Sequence, residues 1–199
     1  MSRFTGLLVA SFVLLLLWAP TSFAVGLGVY VDGAFGSGDA EWDSSSSSFD
    51  IDSRAFSIGF ALDTATTTES IFNYRLNLGY ARHEFEDEDN NTIETDGIYS
   101  EHIFGFALAR NENFRWWAGP LLRVGYHSGD TGTNGSDFTF GEFGIGAVTG
   151  LNFRAGKAIL SPSLGFRYSG YGGEGSSGGV DEDITQNTTN VFANIAILF

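Results

Sequence analysis

Two short stretches combine serine with histidine, the residue types that nucleophilic hydrolysis requires. Ser100 and His102 lie two positions apart, and His127 is followed directly by Ser128. A histidine beside a serine can accept the hydroxyl proton during attack on an ester, provided that a carboxylate orients the imidazole ring. The sequence assigns no third carboxylate to either pair. We therefore predict that the chain is not an enzyme and assign no catalytic residue.

A second set of candidate residues consists of charged side chains that stand singly among small residues. They are Asp32, Arg75, Glu101, Arg123, Glu142 and Arg167. If these side chains point into one narrow interior they must pair, because a lone desolvated charge is costly. We expect Glu101 or Glu142 to reach Arg123 or Arg167 on an adjacent strand. Such a network would either plug the interior or gate the passage of ions.

The acidic stretch at residues 87–91 alternates oxygen-bearing side chains, as calcium-binding loops do. An EF-hand loop would need glycine where this chain has Thr92 and a glutamate where it has Ile98. The motif therefore fails, and the sequence predicts no metal site and no cofactor. Zinc–thiolate and iron–sulfur chemistry are excluded because the chain contains no cysteine.

The elements that must position these residues are eight segments in which bulky apolar residues recur at every second position. Residues 72–81 show it most clearly, since Phe72, Tyr74, Leu76, Leu78 and Tyr80 alternate with polar and small residues. A period of two predicts β-strands with one apolar face. The predicted strands are 26–37, 54–63, 72–81, 98–109, 114–126, 138–153, 158–169 and 189–199. Short turns alternate with long solvated loops at 38–53, 82–97, 127–137 and 170–188.

The two faces of these strands differ greatly in side-chain volume. One face is rich in Phe, Leu, Ile, Tyr and Trp, and the other is largely Gly, Ala, Ser and Asn. Eight strands enclose a space just wide enough for side chains, so only the second face fits inside. We predict an all-β protein, an eight-stranded antiparallel up-and-down transmembrane β-barrel. The alternative is a soluble barrel with its apolar face turned inward.

The start of the chain and its overall charge narrow the class of protein further. Residues 1–24 place one arginine before an apolar run and end in small residues, which is typical of a secretory signal peptide. We therefore predict a signal peptide at 1–24 and a barrel domain at 25–199. The formal net charge of −14 makes nucleic acid an unsuitable partner, since a phosphate backbone requires basic surface.

The alternating strand that ends in Phe199 resembles the C-terminal assembly signal of bacterial outer-membrane β-barrels. The chain as a whole resembles the small eight-stranded members of the OmpA, OmpX and opacity-protein type. The resemblance implies a bacterial outer-membrane location with both termini in the periplasm, contact with outer-membrane lipid and lipopolysaccharide, and recognition by the barrel assembly machinery through the last strand. Aromatic residues at both membrane interfaces are then expected. They are Tyr80, Tyr126, Tyr168, Trp116 and Phe199.

Three functions are compatible with this scaffold, because a fold alone does not determine function. The first is presentation of long acidic external loops. These loops would bind an extracellular ligand in adhesion, or would stabilise the envelope through divalent cations that bridge their carboxylates to lipopolysaccharide. The second is a narrow channel for ions or small solutes. The third is a lipid A hydrolase of the PagL type, whose catalytic His and Ser lie on the outer wall of such a barrel.

Overall fold

The computed structural model describes residues 25–42, 48–66, 70–88, 92–130, 137–177 and 180–199, and within them every regular element is a β-strand. The predicted signal peptide lies outside the described residues. The strands are β1 (Gly26–Trp42), β2 (Ser48–Asp63), β3 (Phe72–Asp87), β4 (Thr92–Arg110), β5 (Phe114–Asp130), β6 (Asp137–Ala155), β7 (Ala158–Ser177) and β8 (Val180–Leu198). None of the described residues belongs to a helix long and apolar enough to cross a membrane.

Each strand pairs in antiparallel fashion with the next, and β8 pairs with β1 to close the ring. The predicted eight-stranded up-and-down barrel is therefore confirmed. The seam continues to the last residue, since the Leu27 amide donates to the Phe199 carbonyl at 3.1 Å and the Phe199 amide donates to the Leu27 carbonyl at 2.8 Å. We call the end of the barrel that holds Leu27 and Phe199 the terminal end, and the opposite end the loop end.

The outer wall is apolar over the central part of every strand. Large hydrophobic side chains there are highly exposed, among them Phe60 at 71%, Ile98 at 68% and Phe35 at 65%. The alternative of a barrel with its apolar face turned inward is thereby excluded. A continuous belt of this kind cannot face water without aggregating, whereas lipid solvates it.

The interior is fuller than the sequence suggested. Besides small and charged residues, it holds Tyr30, Ile103, Trp117, Leu121, Phe140 and Phe192, each almost fully buried. The expectation that bulky side chains lie only outside was therefore wrong in detail. These residues fit because glycines lie beside them: a Cβ at Gly150 would lie 2.4 Å from the ring of Trp117, and one at Gly165 would lie 2.6 Å from the ring of Phe192.

The strands extend well beyond the predicted boundaries at the loop end. β1 continues to Trp42 and β2 begins at Ser48, so most of the predicted first loop is paired strand. The other three long loops are shortened in the same way. The physical reason is an apolar cluster of inward-facing residues at the loop end: Ala40, Ile51, Phe85, Phe138, Phe140, Tyr171 and Ile184. Burying these side chains favours continued pairing of segments that carry many acids on their outer face.

Turns and prolines define the remaining local geometry. The turn between β6 and β7 contains Gly156 at a φ of +67°, a conformation that favours glycine. At the turn between β4 and β5, the Asn113 amide donates to Oδ1 of Asn111 at 2.9 Å. The β4–β5 register omits the pairs that would include Pro120, so the ladder is broken locally at a residue that has no N–H.

Candidate functional site

All six predicted interior charges are buried inside the barrel. Nε of Arg123 donates to Oε2 of Glu142 at 3.0 Å, between the neighbouring strands β5 and β6. Nη1 of Arg167 donates to Oε2 of Glu101 at 3.1 Å, between β7 and β4. The first pair joins adjacent strands, whereas the second crosses the interior between strands that are not neighbours. Side chains from opposite walls can meet because eight strands enclose so narrow a space.

Each of three interior arginines also lies over an aromatic ring. The distance from Cζ to the ring centroid is 3.4 Å for Arg123 over Tyr99 and 5.4 Å for Arg167 over Phe192. The corresponding distance for Arg75 over Trp117 is 4.7 Å. A guanidinium placed over a ring face gains cation–π attraction, which is stronger away from water. The rings thus stabilise charge and occupy the space between the ion pairs.

A second charged group lies at the terminal end of the interior. Nη2 of Arg75 donates to Oδ2 of Asp63 at 2.7 Å, to Oδ1 of Asn152 at 3.1 Å and to Oγ of Ser161 at 2.7 Å. Nη1 of Arg115 donates to the carbonyl of Ser70 at 2.8 Å. The sequence analysis missed Asp63 and Arg115 as interior charges. Their positions could have indicated this, because each lies on the strand face that carries mostly small residues, which is the face that points inward.

Asp32 is buried without an ion pair to any of the described residues. Its side chain is close enough to Arg167, Arg123 and Glu101 for electrostatic interaction, but its Oδ1 atom has no hydrogen-bond partner there. At the same level Tyr30 donates its hydroxyl to Tyr99 at 2.6 Å. Around Asp32 the interior thus holds three carboxylates, those of Asp32, Glu101 and Glu142, and two guanidinium groups, those of Arg123 and Arg167.

Two histidines complete this part of the interior. His83 on β3 and His127 on β5 are both 1% exposed, and their ring centroids lie 4.6 Å apart. Nε2 of His127 lies 2.9 Å from Oε2 of Glu142. The sequence analysis placed both histidines in solvated loops, which is wrong, because the extended strands carry them inward. His83 lies two positions from both Ala81 and Phe85, so all three share one face of β3. This spacing was the available signal that His83 faces inward.

The two serine–histidine pairs do not form a hydrolytic site. Ser100 and His102 lie on the outer wall, where Nδ1 of His102 is 2.7 Å from the hydroxyl of Tyr74. Among the described residues, no carboxylate forms a hydrogen bond or ion pair with His102. Successive residues of a strand face opposite sides, so His127 points inward while Ser128 is exposed outside. Neither pair has the geometry of a triad.

The five predicted interface aromatics all lie on the outer wall. Their exposed fractions are 49% for Tyr80, 57% for Tyr126, 49% for Tyr168, 44% for Trp116 and 73% for Phe199. Tyr80 and Tyr126 flank Ile98 in one row across β3, β4 and β5. Nε1 of Trp116 donates to Oγ1 of Thr149 at 2.9 Å. The tyrosine and tryptophan rings among them, each with one polar group, suit the boundary between hydrocarbon and head groups.

Beyond the apolar belt, the outer wall at the loop end becomes acidic. Asp39 lies opposite Asp50 across the β1–β2 ladder, and Asp52 lies opposite Glu86 across the β2–β3 ladder. Arg54 lies beside these carboxylates, with its Nη2 atom 3.8 Å from Oε2 of Glu86. A groove of about 540 Å³ runs along this surface. Its lining residues are Ser37, Gly38, Asp39, Asp50, Ile51, Asp52, Glu86, Asp87, Glu88 and Thr189.

The barrel is similar in structure to the outer-membrane protein OprG from Pseudomonas aeruginosa, with a TM-score of 0.59 at 7% sequence identity, over 89% of this chain and 97% of that chain. This chain has the fold of the small outer-membrane β-barrels. Neisserial surface protein A is a more distant neighbour, with a TM-score of 0.45 at 16% identity over 85% of this chain and 96% of that chain. No family model matches the sequence, and no curated protein matches it.

Proposed function

We propose that this protein is an integral protein of the bacterial outer membrane that acts through its external surface and not by transport or catalysis. The apolar belt supports membrane insertion, because lipid is the solvent in which such a wall is stable. The loop end then faces the exterior and both termini face the periplasm. The fold that the chain shares with OprG supports the same location.

The observation that carries the proposal is the buried layer of charge across the interior. The side chains of Arg123 and Glu142 are 0% exposed, and those of Arg167 and Glu101 are 1% and 6% exposed. Because the Arg167–Glu101 pair joins β7 to β4, which are not neighbours in the ring, it spans the interior between these two strands. Breaking it would leave charges unpaired in a medium of low polarity, which is strongly unfavourable. We therefore favour a structural plug over an ion gate.

A channel experiment separates these two roles. The purified protein in planar lipid bilayers is expected to show no steady single-channel conductance, because the arginine pairs and their aromatic partners fill the interior. Arg167→Ala, which removes the group that crosses the bore, is expected to produce measurable openings. Arg54→Ala on the outer wall is the matched control and is expected to stay closed. Steady conductance of the wild-type protein would establish the narrow channel instead.

The acidic loop end suggests what the external surface does. Carboxylates that face each other across a ladder repel, and a divalent cation between them relieves this repulsion. Lipopolysaccharide carries phosphate groups beside such a wall, so a shared cation could join lipid and protein. We propose that the acidic loop end stabilises the envelope in this way. Adhesion through the same surface to an extracellular ligand is the second candidate, favoured by the groove and its exposed position.

Calcium-dependent association with lipopolysaccharide tests the envelope role. The protein in detergent, mixed with lipopolysaccharide micelles, is expected to co-sediment more strongly in millimolar calcium than with a chelator. The double variant Asp50→Asn/Asp52→Asn is expected to lose most of the calcium-dependent part. Glu112→Gln, at an exposed turn of the terminal end, is the control and is expected to behave as wild type. Equal calcium dependence in all three proteins would remove the envelope role.

A further inference from the structure

Three potential metal ligands converge inside the loop-end half of the barrel. They are His83 from β3, His127 from β5 and Glu142 from β6, and one ligand atom from each lies within 4.8 Å of the other two. Nε2 of His127 and Oε2 of Glu142 are already 2.9 Å apart. Two ligands of one tetrahedral zinc ion are separated by about 3.3 Å, given bond lengths near 2.0 to 2.1 Å. The other separations, which reach up to 4.8 Å, must shorten toward this value when an ion binds.

Unpartnered nitrogen atoms give an independent indication of a ligand here. Both Nδ1 and Nε2 of His83 are buried without a hydrogen-bond partner, and so is Nδ1 of His127. Neutral imidazole has one donor and one acceptor nitrogen, and burying both unsatisfied is unfavourable. The three neighbouring rings of His127, Phe85 and Tyr171 offer His83 edges and faces but no strong acceptor. A metal ion would engage the lone pair that nothing in the described protein satisfies.

The surroundings of the cluster hold the His127 ring and the Glu142 carboxylate in place. Glycines at positions 97 and 125 make room, since a Cβ at Gly97 would lie 2.3 Å from Nδ1 of His127 and one at Gly125 would lie 2.7 Å from its Nε2. Oγ of Ser169 donates to Oε1 of Glu142 at 3.0 Å and so orients the carboxylate. Oε2 of Glu142 also accepts from Nε of Arg123 at 3.0 Å, so a bound ion would share this oxygen with a guanidinium. The nearby carboxylates of Asp32 and Glu101 offset part of the added charge.

We propose that His83, His127 and Glu142 bind one divalent transition-metal ion. Two imidazoles and one carboxylate favour zinc, which accepts nitrogen and oxygen ligands in tetrahedral geometry and leaves a fourth position to water. Calcium and magnesium are poor occupants because they prefer all-oxygen sites. The ligands come from three strands, so the ion would clamp β3 to β5 and β6 across the interior. The proposal does not depend on the envelope role of the outer surface.

Burial of the ligands determines how the ion can enter. His83 and His127 are each 1% exposed, and the aromatic cluster of Phe85, Phe138, Phe140 and Tyr171 covers them on the loop side. An ion therefore enters while the barrel forms, or when this cluster opens. Once bound, it exchanges slowly. The experiment should accordingly supply zinc during refolding and remove surface-bound zinc afterwards.

The test uses the full protein without a histidine tag, refolded from urea into detergent in the presence of zinc and then treated with a chelator. Metal analysis is expected to find about one zinc per wild-type chain. His83→Phe/His127→Gln, which keeps similar side-chain volumes, is expected to retain less than about one tenth as much. His102→Phe removes the third histidine of the chain, which lies on the outer wall, and is expected to retain zinc as wild type does.

X-ray absorption of the zinc-loaded wild-type protein provides a measurement that needs no variant. Scattering from two imidazole rings and one or two further oxygen ligands is expected. Equal zinc in the wild type and the double variant would place the ion on the acidic surface and overturn the proposal. Absence of retained zinc, or a first shell made only of oxygen, would overturn it as well. Should the double variant fail to fold by circular dichroism, the wild-type spectrum alone decides.

Discussion

At the scale of single residues, buried arginines organise the interior of the barrel. Arg75, Arg115, Arg123 and Arg167 are all 1% exposed or less, and each has acceptors from more than one residue or an aromatic ring beneath it. A buried charge is tolerated only when it is paired and hydrogen-bonded. Removing one partner from such a pair is therefore expected to cost far more than removing one from an exposed pair.

The pair of Asp63 and Arg75 gives the sharpest test of this expectation. Asp63→Asn leaves the guanidinium of Arg75 without its carboxylate and is expected to destabilise the barrel by about 3–5 kcal/mol. The control is Arg54→Gln, which breaks a contact of 3.7 Å with Glu84 at the exposed outer wall. That change is expected to cost less than about 1 kcal/mol. Urea unfolding in lipid vesicles measures both, and similar losses would show that the interior pair is not desolvated.

At the scale of the strands, glycine at inward positions makes room for large side chains. A Cβ at Gly79 on β3 would lie 2.1 Å from the hydroxyl oxygen of Tyr30 and 3.0 Å from Cζ of Tyr99. These two tyrosines are joined by the 2.6 Å hydrogen bond that links β1 to β4 across the interior. The residue at position 79 therefore decides whether the two rings can meet.

Gly79→Ala is expected to separate the tyrosine hydroxyls and to destabilise the barrel by about 1–3 kcal/mol, the usual cost of overpacking. Gly33→Ala on β1 is the matched control, since a Cβ there meets nothing within 4 Å. It is expected to be neutral or slightly stabilising. Thermal unfolding of both variants in one detergent checks the difference, and an unchanged transition for Gly79→Ala would show that the interior is loosely packed.

The strands were predictable where one face was apolar and much less so where both faces were mixed. Phe72, Leu76 and Tyr80 gave a clear period of two, and the structure pairs that whole segment. Ala40, Ile51 and Phe85 carry the same period into acidic surroundings, where each is flanked by acidic residues and the apolar series is short. Their burial depends on partners from other strands. Local composition therefore favoured loops where tertiary packing produces strands.

At the scale of the whole molecule, the belt on the outer wall defines a depth scale. Ile58 lies at the centre of the outward series of β2 and is 53% exposed. Ser37 lies on the outer wall of β1 beside the acidic groove at the loop end. In a membrane, the first position is surrounded by hydrocarbon and the second lies beyond it. A charge placed at each position should therefore have very different consequences.

Ile58→Arg is expected to cost about 2–4 kcal/mol, and Ser37→Arg about 0–1 kcal/mol, when each barrel is unfolded from phospholipid vesicles by a denaturant. Attraction to the neighbouring acids reduces the second cost further. Ile58→Ala, which removes volume but adds no charge, separates the loss of packing from the cost of a buried cation. If the two arginine variants were equally stable, the belt would not lie in the hydrocarbon of the membrane.

The interior could be predicted from the sequence only in part. Parity alone assigned Asp32, Arg75, Glu101, Arg123, Glu142 and Arg167 to the inside, and all six lie there. The alternation of residues along a strand does not give the stagger between strands, and this stagger decides which side chains meet across the interior. The pairing of Arg167 with Glu101, and the meeting of His83 with Glu142, depend on closure of the ring. Such contacts between non-adjacent strands leave no trace in local spacing.

Closure through the chain's final residue also has a consequence for how the barrel forms. The pairing of β1 with β8 joins the two strands that are farthest apart along the polypeptide. Bringing distant ends together is entropically costly and makes assembly slow. Until Phe199 meets Leu27, both edges stay open and able to recruit a foreign strand. Completion of the ring therefore depends on the β1–β8 seam, and removal of the last few residues is expected to leave a sheet with open edges that aggregates.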